Sequence, residues 1–262
     1  MRLIILAAGQ GTRLRPLTDD RPKCLVELAG RPLLQWQIEA ARGAGLQDIV
    51  AIGGYRLECL KPYGIPVITN PDYATTNMVS TLFCGRQFFD GGFVMSYGDI
   101  VYPPSVLSRL LSAKDQICVV VDRSWRAYWE QRFDDPLSDA ETLALDADGC
   151  ITDIGQKPWD LDSIAAQYIG LVLFREQGVR SLITAYDAAK TDQRAGRRPF
   201  GGKRDLDQLY MTDLLQGLIA RGERLTAVAI EGGWLEIDSP RDLAVAERLV
   251  SQGRLGARPD GT

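Results

Sequence analysis

The first residues that could do chemistry lie in a glycine-rich loop that follows a short apolar run. Gly9 and Gly11 would let the backbone approach a ligand closely and point its N–H groups towards it, which suits a polyphosphate. Arg13 can bind phosphate oxygens through its planar guanidinium, and Lys23 adds a compact positive charge. For the glycines alone, an ordinary tight turn is the better interpretation, but the full string predicts a polyphosphate site. Its backbone groups would come from Leu6, Ala7, Ala8, Gln10 and Thr12 as well.

The loop matches neither of two common phosphate-binding motifs. It lacks the third glycine of the dinucleotide-binding fingerprint and the Gly-Lys-Ser/Thr sequence of a Walker loop. The whole string, GxGTRLxPLTxxxPKxL over residues 9–25 with GRPLL at 30–34, resembles the signature of nucleotidyltransferases that act on sugar phosphates and on phosphocholine. This resemblance implies a Rossmann-like core in which the loop wraps a nucleoside triphosphate, with Arg13 and Lys23 as catalytic cations.

Two aspartates resemble the metal ligands of the same family. Asp99 follows the sequence YG at 97–98, and Asp238 lies in WLEIDSP at 234–240. The resemblance implies that both are catalytic and bind Mg²⁺, a hard cation that accepts carboxylates together with phosphate oxygens. For a lone aspartate, a turn or a helix cap is the alternative, and Asp238 before Ser239-Pro240 fits a cap.

The chain contains no histidine, which excludes Ser-His-Asp triads, Cys-His pairs and histidine metal sites. In the reaction that the resemblance implies, a phosphate oxygen of the substrate attacks the α-phosphorus in line and pyrophosphate leaves. Catalysis then depends on positioning and on charge neutralisation. Because the attacking group is already an anion, no general base is needed.

Residues 70–80 resemble the cytidylyltransferase branch of the family, in which an asparagine-rich segment lies near the base and ribose. Amide and hydroxyl groups can bind the edge of a pyrimidine by hydrogen bonds, which implicates Asn70, Asn77 and Ser80. Gly54 and Tyr55, at the end of the second predicted strand, could flank the base. For any single residue here, a turn that leads into a helix capped at position 75 or 76 is an equally good interpretation.

The middle of the chain most resembles cytidylyltransferases that activate phosphorylated amino compounds such as phosphoglutamine, phosphocholine and aminoalkylphosphonates. Asp122 or Glu141 beside Trp125 could hold an ammonium group by charge and cation–π attraction, although tryptophans more often pack a core. Lys157, in the sequence QKP at 156–158, matches a lysine that contacts the acceptor phosphate in sugar-phosphate enzymes. Those enzymes have glutamate where this chain has Gln156, which disfavours a sugar ring. Two further residues complete the predicted acceptor site: Tyr168 and Glu236.

These observations predict a magnesium-dependent cytidylyltransferase that joins CMP from CTP to a small phosphorylated or phosphonylated amino compound. Two alternatives stay open. A sugar-1-phosphate uridylyl- or thymidylyltransferase would carry the same N-terminal signature. A non-catalytic nucleotide-binding regulator is disfavoured, because such a protein would normally have lost a metal carboxylate or Lys23.

The elements that must position these residues alternate along the chain. Apolar or β-branched runs predict strands at 3–7, 48–52, 66–69, 93–96, 117–121, 168–174 and 227–230. Amphipathic spacing predicts helices at 33–44, 77–88, 106–113, 179–189, 210–221 and 240–252. The alternation predicts a Rossmann-like, doubly wound and mostly parallel sheet with helices on both faces.

The pattern weakens between about residues 122 and 167, where short strands are predicted at 142–145 and 151–154. We expect this region to form a small inserted lid or subdomain that faces the substrate, and we expect a polar loop at 190–204. The whole is predicted to be one nucleotidyltransferase domain over residues 1–252. Its nucleotide-binding half would span about 1–121, its substrate-facing half about 122–252, and a flexible tail 253–262.

Composition limits the partners. A net charge of -4 without a long basic run argues against nucleic acid and against an anionic membrane surface. The five cysteines lack CxxC spacing, and the apolar residues 1–8 run into the loop without a cleavage pattern, so we expect a cytoplasmic protein. The predicted partners are a nucleoside triphosphate and a small metabolite, and a homo-oligomer is compatible with the sequence.

Overall fold

A computed structural model of the protein describes residues 1–255, so most of the predicted tail, residues 256–262, lies outside the described residues. The strands within the described part are β1 (Arg2–Ala7), β2 (Glu27–Leu28), β3 (Arg31–Pro32), β4 (Asp48–Gly53), β5 (Val67–Thr69), β6 (Phe93–Tyr97), β7 (Ile100–Val101), β8 (Ile117–Asp122), β9 (Leu143–Leu145), β10 (Ile151–Ile154), β11 (Gln167–Phe174), β12 (Thr226–Ile230) and β13 (Leu235–Glu236). The α-helices are α1 (Leu33–Gly43), α2 (Met78–Cys84), α3 (Pro104–Ser112), α4 (Trp125–Arg132), α5 (Glu176–Arg194), α6 (Met211–Ala220) and α7 (Pro240–Ser251).

Seven of these strands form the central sheet, in the order β12-β8-β11-β6-β1-β4-β5. Its neighbouring strands are parallel except at β11, which runs antiparallel to both β6 and β8. The middle strand, β1, pairs in parallel with β4 on one side and β6 on the other. The predicted mostly parallel, Rossmann-like sheet is confirmed.

Both faces of the sheet are covered by helices. Leu3 and Ile5 of β1 pack into a core shared with α1, α3, α4 and α7. The alternate residues Ile4 and Leu6 pack into a second core shared with α2, α5 and α6. Because successive side chains of a strand point to opposite faces, a strand buried on both sides is apolar throughout, as the sequence of β1 is.

Two predicted helices differ in their bounds. The helix predicted at 77–88 is α2, which ends at Cys84 and is followed by a separate 3₁₀ turn at Arg86–Phe88. The predicted cap at 75 or 76 was wrong, since the side-chain oxygen of Asn77 accepts the 2.9 Å hydrogen bond from the Met78 N–H. Helix α5 begins earlier than predicted and continues to Arg194, so the predicted loop at 190–204 is helical in its first part.

The middle region contains an unpredicted helix and a small sheet. In α4, Trp125, Tyr128, Trp129 and Arg132 are buried at a spacing of three and four residues, which places them on one face. Strands β9 and β10 pair antiparallel beside α6, where the Ile154 N–H donates to Gln216 Oε1 at 2.9 Å. Among residues 1–255, the helices are too short or too polar to cross a lipid bilayer.

Candidate active site

A cavity of about 320 Å³ opens at the carboxyl ends of β1 and β6. In parallel α/β sheets, ligands bind outside the carboxyl ends of the strands, where the loops diverge. The loop after β1, the turn after β6 and the segment before α2 all contribute to this cavity. It is lined by Leu6, Ala8, Gly9, Arg13, Lys23, Tyr73, Thr76, Asn77, Met78, Thr81, Tyr97, Gly98, Asp99, Glu236 and Asp238.

The loop after β1 folds back on itself and brings Lys23 beneath its glycines. The Thr18 hydroxyl donates to the Gly11 carbonyl at 2.9 Å, and the Lys23 N–H donates to the Gly9 carbonyl at 3.3 Å. Gly11 has a φ of +67°, and a Cβ there would lie 2.9 Å from Lys23 Cβ. The tight approach of the two segments therefore requires glycine at position 11.

Two short strands bring together aspartates that are far apart in the sequence. Asp99 precedes β7 and Asp238 follows β13, and these strands pair antiparallel with Glu236 opposite Ile100. One further backbone bond, from the Ile237 N–H to the Asp99 carbonyl at 3.0 Å, extends the pairing to the aspartates. The pairing register of β7 and β13 therefore fixes the separation of the Asp99 and Asp238 carboxylates.

Lys23 lies between these two carboxylates. Its ammonium is 2.5 Å from Asp99 Oδ2 and also contacts Asp238 Oδ1. Arg13, which is 63% exposed, approaches from the solvent side and lies 2.9 Å from Asp238 Oδ2. Four residues predicted to be catalytic, from three separate parts of the chain, thus meet at one point.

The charges at this point stabilise one another. Burial alone would lower the pKa of Lys23, but the charges of Asp99 and Asp238 outweigh it, so the pKa lies above its usual value. Burial opposes ionisation of Asp238, but Lys23 and then Arg13 hold its pKa below the usual value. Burial raises the pKa of Glu236 although Arg132 opposes this shift. Lys23 is therefore protonated and Asp238 ionised at neutral pH.

The two carboxylates fit a divalent cation whose remaining coordination positions are filled by a bound ligand and by water. Within residues 1–255, Asp99 Oδ1 is buried and has no hydrogen-bond partner. Asp99 Oδ2 and Asp238 Oδ1 converge on a cation, the Lys23 ammonium, and Asp238 Oδ2 faces Arg13. The described residues offer no cluster of three or more acidic or cysteine ligands. Two carboxylates without a third protein ligand match Mg²⁺, which usually takes its remaining ligands from phosphates and water.

The model of the MobA-like NTP transferase domain matches residues 3–201 of the chain. The chain belongs to this family. It is thus a nucleotidyltransferase, as the signature at residues 9–25 predicts.

Similar proteins support the same placement. The chain is 40% identical to the CTP:phosphoglutamine cytidylyltransferase of Campylobacter jejuni, over 94% of this chain and 98% of that protein. It is 29% identical to the CMP-5'-(3-aminopropyl)phosphonate synthase of Streptomyces rubellomurinus, over 97% of this chain but 39% of that protein. The structure of the CTP:phosphocholine cytidylyltransferase of Streptococcus pneumoniae has the same fold, with a TM-score of 0.71, 23% identity and coverage of 95% and 98%. The predicted resemblance to cytidylyltransferases of phosphorylated amino compounds is confirmed.

Not all residues predicted to bind the nucleotide line the cavity of this NTP transferase. Asn77 lines it, but Asn70 is buried behind the wall. Asn70 Nδ2 donates to the hydroxyls of Thr76 and Thr81, each at 3.0 Å, and its Oδ1 accepts from the Asp72 N–H. The Asn70 amide therefore holds the segment that carries the lining residues and does not face the cavity.

Gly54 and Tyr55, the residues predicted to flank the base, also lie outside the lining of the cavity. Tyr55 connects the turn after β4 to the segment after β1, because its hydroxyl donates to the Asp19 carbonyl at 2.7 Å. Tyr73 lines the cavity in its place, and a Cβ at Gly54 would lie 2.5 Å from Tyr73 Cβ. Ser80, on α2, lies outside the lining, as do Ala7, Gln10, Gly11 and Thr12 of the loop.

Among the residues predicted to bind the acceptor, Glu236 lines the cavity, whereas Tyr168, Glu141 and Lys157 lie outside the lining. Tyr168 stands edge-on behind Tyr97, with 5.7 Å between the ring centres. Glu141 is partly buried, and burial raises the pKa of its carboxyl to about 7. Lys157 is exposed and donates to the Leu137 carbonyl, away from the lining.

Asp122 and Trp125, predicted to bind the acceptor, lie outside the lining of the cavity. The Asp122 carboxylate is buried and accepts from the Trp234 indole at 2.9 Å and from the Ser124 and Gly232 N–H groups at 2.8 Å. Trp125 is buried edge-on to Trp129, with 5.8 Å between the ring centres. Both residues are occupied in the core behind the cavity, which is the commoner role of tryptophan and of a buried, fully bonded carboxylate.

Six lining residues were not among the predicted site residues: Tyr73, Thr76, Met78, Thr81, Tyr97 and Gly98. Tyr97 lies two positions before the predicted metal ligand Asp99, at the end of the buried strand β6. That position alone could have predicted that Tyr97 lines the site. Thr81 lies one helical turn after Asn77 and therefore on the same face of α2. No comparable signal marks Tyr73.

Proposed function

We propose that this enzyme is a cytidylyltransferase that transfers CMP from CTP to a small phosphorylated or phosphonylated amino compound and releases pyrophosphate. The observation that carries the proposal is the meeting of Arg13, Lys23, Asp99 and Asp238 at one cavity. The choice of CTP and of an amino-bearing acceptor is supported by 40% identity to a CTP:phosphoglutamine cytidylyltransferase over nearly the full length of both chains.

On the nucleotide side, the loop from Leu6 to Arg13 would hold the triphosphate. Its backbone N–H groups and the exposed Arg13 guanidinium would bind the outer phosphates, which become the leaving pyrophosphate. Lys23 would neutralise charge at the α-phosphate, because its buried ammonium is held within reach of the same point. Asn77 and Tyr73 lie on the wall that would face the sugar and base.

Asp99 and Asp238 would hold Mg²⁺. When bound, this ion would neutralise charge on the phosphates during in-line displacement. The chain's own contribution is the fixed β7–β13 pairing, which sets the distance between the two carboxylates before any ligand arrives.

On the acceptor side, Glu236 and Tyr97 would face the substrate, with Tyr168 packed behind Tyr97. A carboxylate beside aromatic rings favours a group with a positive charge, such as an ammonium. Glu141 and Lys157, which lie outside the lining, would approach the acceptor only if the β9–β10 region moves towards it. In this scheme residues 1–121 carry most of the nucleotide site, and residues 122–252 most of the acceptor site.

The proposal includes a cytoplasmic location. It is supported by the cysteines, which are all free thiols, three of them buried. Free buried thiols are typical of proteins in a reducing compartment.

The test is pyrophosphate release with CTP, UTP, dTTP and ATP, each combined with phosphocholine, phosphoglutamine, an aminoalkylphosphonate and glucose 1-phosphate. We expect turnover with CTP and at least one amino-bearing acceptor. Preference for UTP or dTTP with glucose 1-phosphate would instead identify a sugar-phosphate enzyme. Absence of pyrophosphate release with every pair would contradict the proposal.

A further inference from the structure

A buried cation lies behind the wall of the cavity, at the end of α4. The side chain of Arg132 has no exposed surface. Its guanidinium carbon lies 4.9 to 5.3 Å from the ring centres of Tyr128, Trp129 and Phe133. A guanidinium buried among aromatic rings must be paired with acids, because an unpaired charge there would be strongly unfavourable.

The acids that pair with Arg132 flank the candidate metal ligand Asp238. Arg132 Nη1 lies 2.7 Å from Glu236 Oε2, and Arg132 Nε donates to Asp242 Oδ1 at 2.9 Å. The second oxygen of Asp242 accepts from the Asp238 N–H at 3.1 Å and from the Ser239 hydroxyl at 2.9 Å. The same guanidinium therefore fixes the segment on both sides of Asp238.

Tyr128, one helical turn before Arg132, fixes the same segment through its backbone. Its hydroxyl accepts from the Glu236 N–H at 2.9 Å and donates to the Glu236 carbonyl at 3.2 Å. Helix α4 thus holds residues 236–242 by two hydrogen bonds to backbone and by two ion pairs. Asp238 itself contacts neither side chain, so α4 acts on it through its neighbours.

We propose that Arg132 and Tyr128 of α4 are positioning residues, which together set the place of the Asp238 carboxylate and thereby the affinity of the enzyme for a metal–nucleotide complex. The proposal rests on the proposed function, in which Asp238 is a metal ligand. Residues that orient a metal ligand by hydrogen bonds commonly affect metal affinity or activity by about 10- to 100-fold. Lysine should not replace arginine here, because its single ammonium lacks the planar guanidinium that contacts Glu236 through Nη1 and Asp242 through Nε.

The test compares Arg132→Lys with Arg126→Lys, a change of the same kind on the same helix at a side chain that is 50% exposed. Binding of Mn²⁺–CTP is measured by water-proton relaxation, and kcat and KM for CTP by pyrophosphate release. We expect Arg132→Lys to weaken Mn²⁺–CTP binding about 10-fold or more and to lower kcat, whereas Arg126→Lys behaves as the wild type. A thermal melt of each variant establishes that it is folded.

A folded Arg132→Lys enzyme with a lowered melting temperature but unchanged Mn²⁺–CTP affinity and kcat would overturn the proposal, since Arg132 would then only stabilise the fold. If Arg132→Lys does not fold, Tyr128→Phe takes its place, because it removes the hydroxyl that holds Glu236 and keeps the ring. Unchanged affinity and kcat in Tyr128→Phe would likewise overturn the proposal. Failure of the proposed function would appear differently, as a wild-type enzyme that neither binds Mn²⁺–CTP nor releases pyrophosphate.

Discussion

At the scale of single residues, the centre of the site is Lys23, an ammonium held between two carboxylates. Each carboxylate is more than four-fifths buried, and Lys23 is 14% exposed. Removal of one acid leaves the lysine paired with the other, so the fold should tolerate the change. The chemistry should not, because both acids are needed to hold a divalent ion beside the phosphates.

Asp99→Asn is therefore expected to lower kcat by at least about 100-fold, because it removes a negative charge from the metal site. The melting temperature should change little, since the amide keeps the shape of the carboxylate. Steady-state kinetics and a thermal melt measure the two effects. Asp90→Asn, at an exposed position, is the matched control; unchanged turnover in Asp99→Asn would remove this residue from the mechanism.

The raised pKa of the Glu141 carboxyl should make the stability of the protein depend on pH. Burial raises the pKa of its carboxyl to about 7, with Asp213 and Asp139 acting in the same direction. A raised acid pKa means that the folded state holds the proton to higher pH, so the free energy of unfolding falls as pH rises from about 4.5 to about 7. Glu141→Gln should remove this loss and become more stable than the wild type by about 1–3 kcal/mol near pH 8, but not near pH 4.5. Urea unfolding at both pH values measures the difference; an equal difference at both would contradict the assignment.

A motif specifies the types of Arg13, Lys23, Asp99 and Asp238, and the structure brings these four predicted site residues together. The sequence could not show that Asp122 and Trp125 lie outside the cavity, because composition does not distinguish a carboxylate that binds a ligand from one that bonds an indole and two backbone N–H groups. That distinction depends on Trp234 and Gly232, which lie more than a hundred positions away in the sequence.

At the scale of elements, the glycine-rich loop offers a matched pair of substitutions. A Cβ at Gly9 would meet no atom within 4 Å, whereas Gly11 has a positive φ and a Cβ there would press on Lys23. Gly11→Ala should cost about 1–3 kcal/mol of stability and reduce activity, because it strains the backbone and displaces the lysine. Gly9→Ala should leave stability within about 0.5 kcal/mol of the wild type and raise KM for CTP, because the methyl group lies where phosphates would approach.

Urea unfolding and steady-state kinetics measure both variants. Equal loss of stability in Gly9→Ala and Gly11→Ala would show that the loop is not folded as described. Wild-type KM in Gly9→Ala would place the phosphates away from this loop.

Most strands and helices could be predicted because their periodicity is local, as in β1 and α7. The direction of β11 could not, since an antiparallel strand inside a mostly parallel sheet has the same apolar pattern as its neighbours. The sequence did not predict helix α4, because its buried face includes Arg132, a charged residue that interrupts the apolar periodicity of a helix. Arg132 is buried because it pairs with Glu236 and Asp242.

For the molecule as a whole, the nucleotide should stabilise the enzyme more strongly together with a metal than without one. A ligand at about 100 times its Kd adds about 2.7 kcal/mol to the free energy of unfolding, which for a chain of this size corresponds to a rise in Tm of about 5 °C or more. We expect this rise with CTP and Mg²⁺, a smaller one with CTP and EDTA, and little with UTP. Equal shifts with and without metal would contradict the metal-bridged site.

In the proposed reaction, Asp99 and Asp238 together would hold one divalent ion beside a triphosphate that is bound by the loop after β1. A crystal grown with CTP and Mn²⁺ tests it directly through the anomalous signal of the metal. We expect an anomalous peak within about 2.5 Å of a carboxylate oxygen from each aspartate, with the phosphates against residues 8–13. A peak elsewhere, or a nucleotide whose phosphates lie away from this loop, would contradict it.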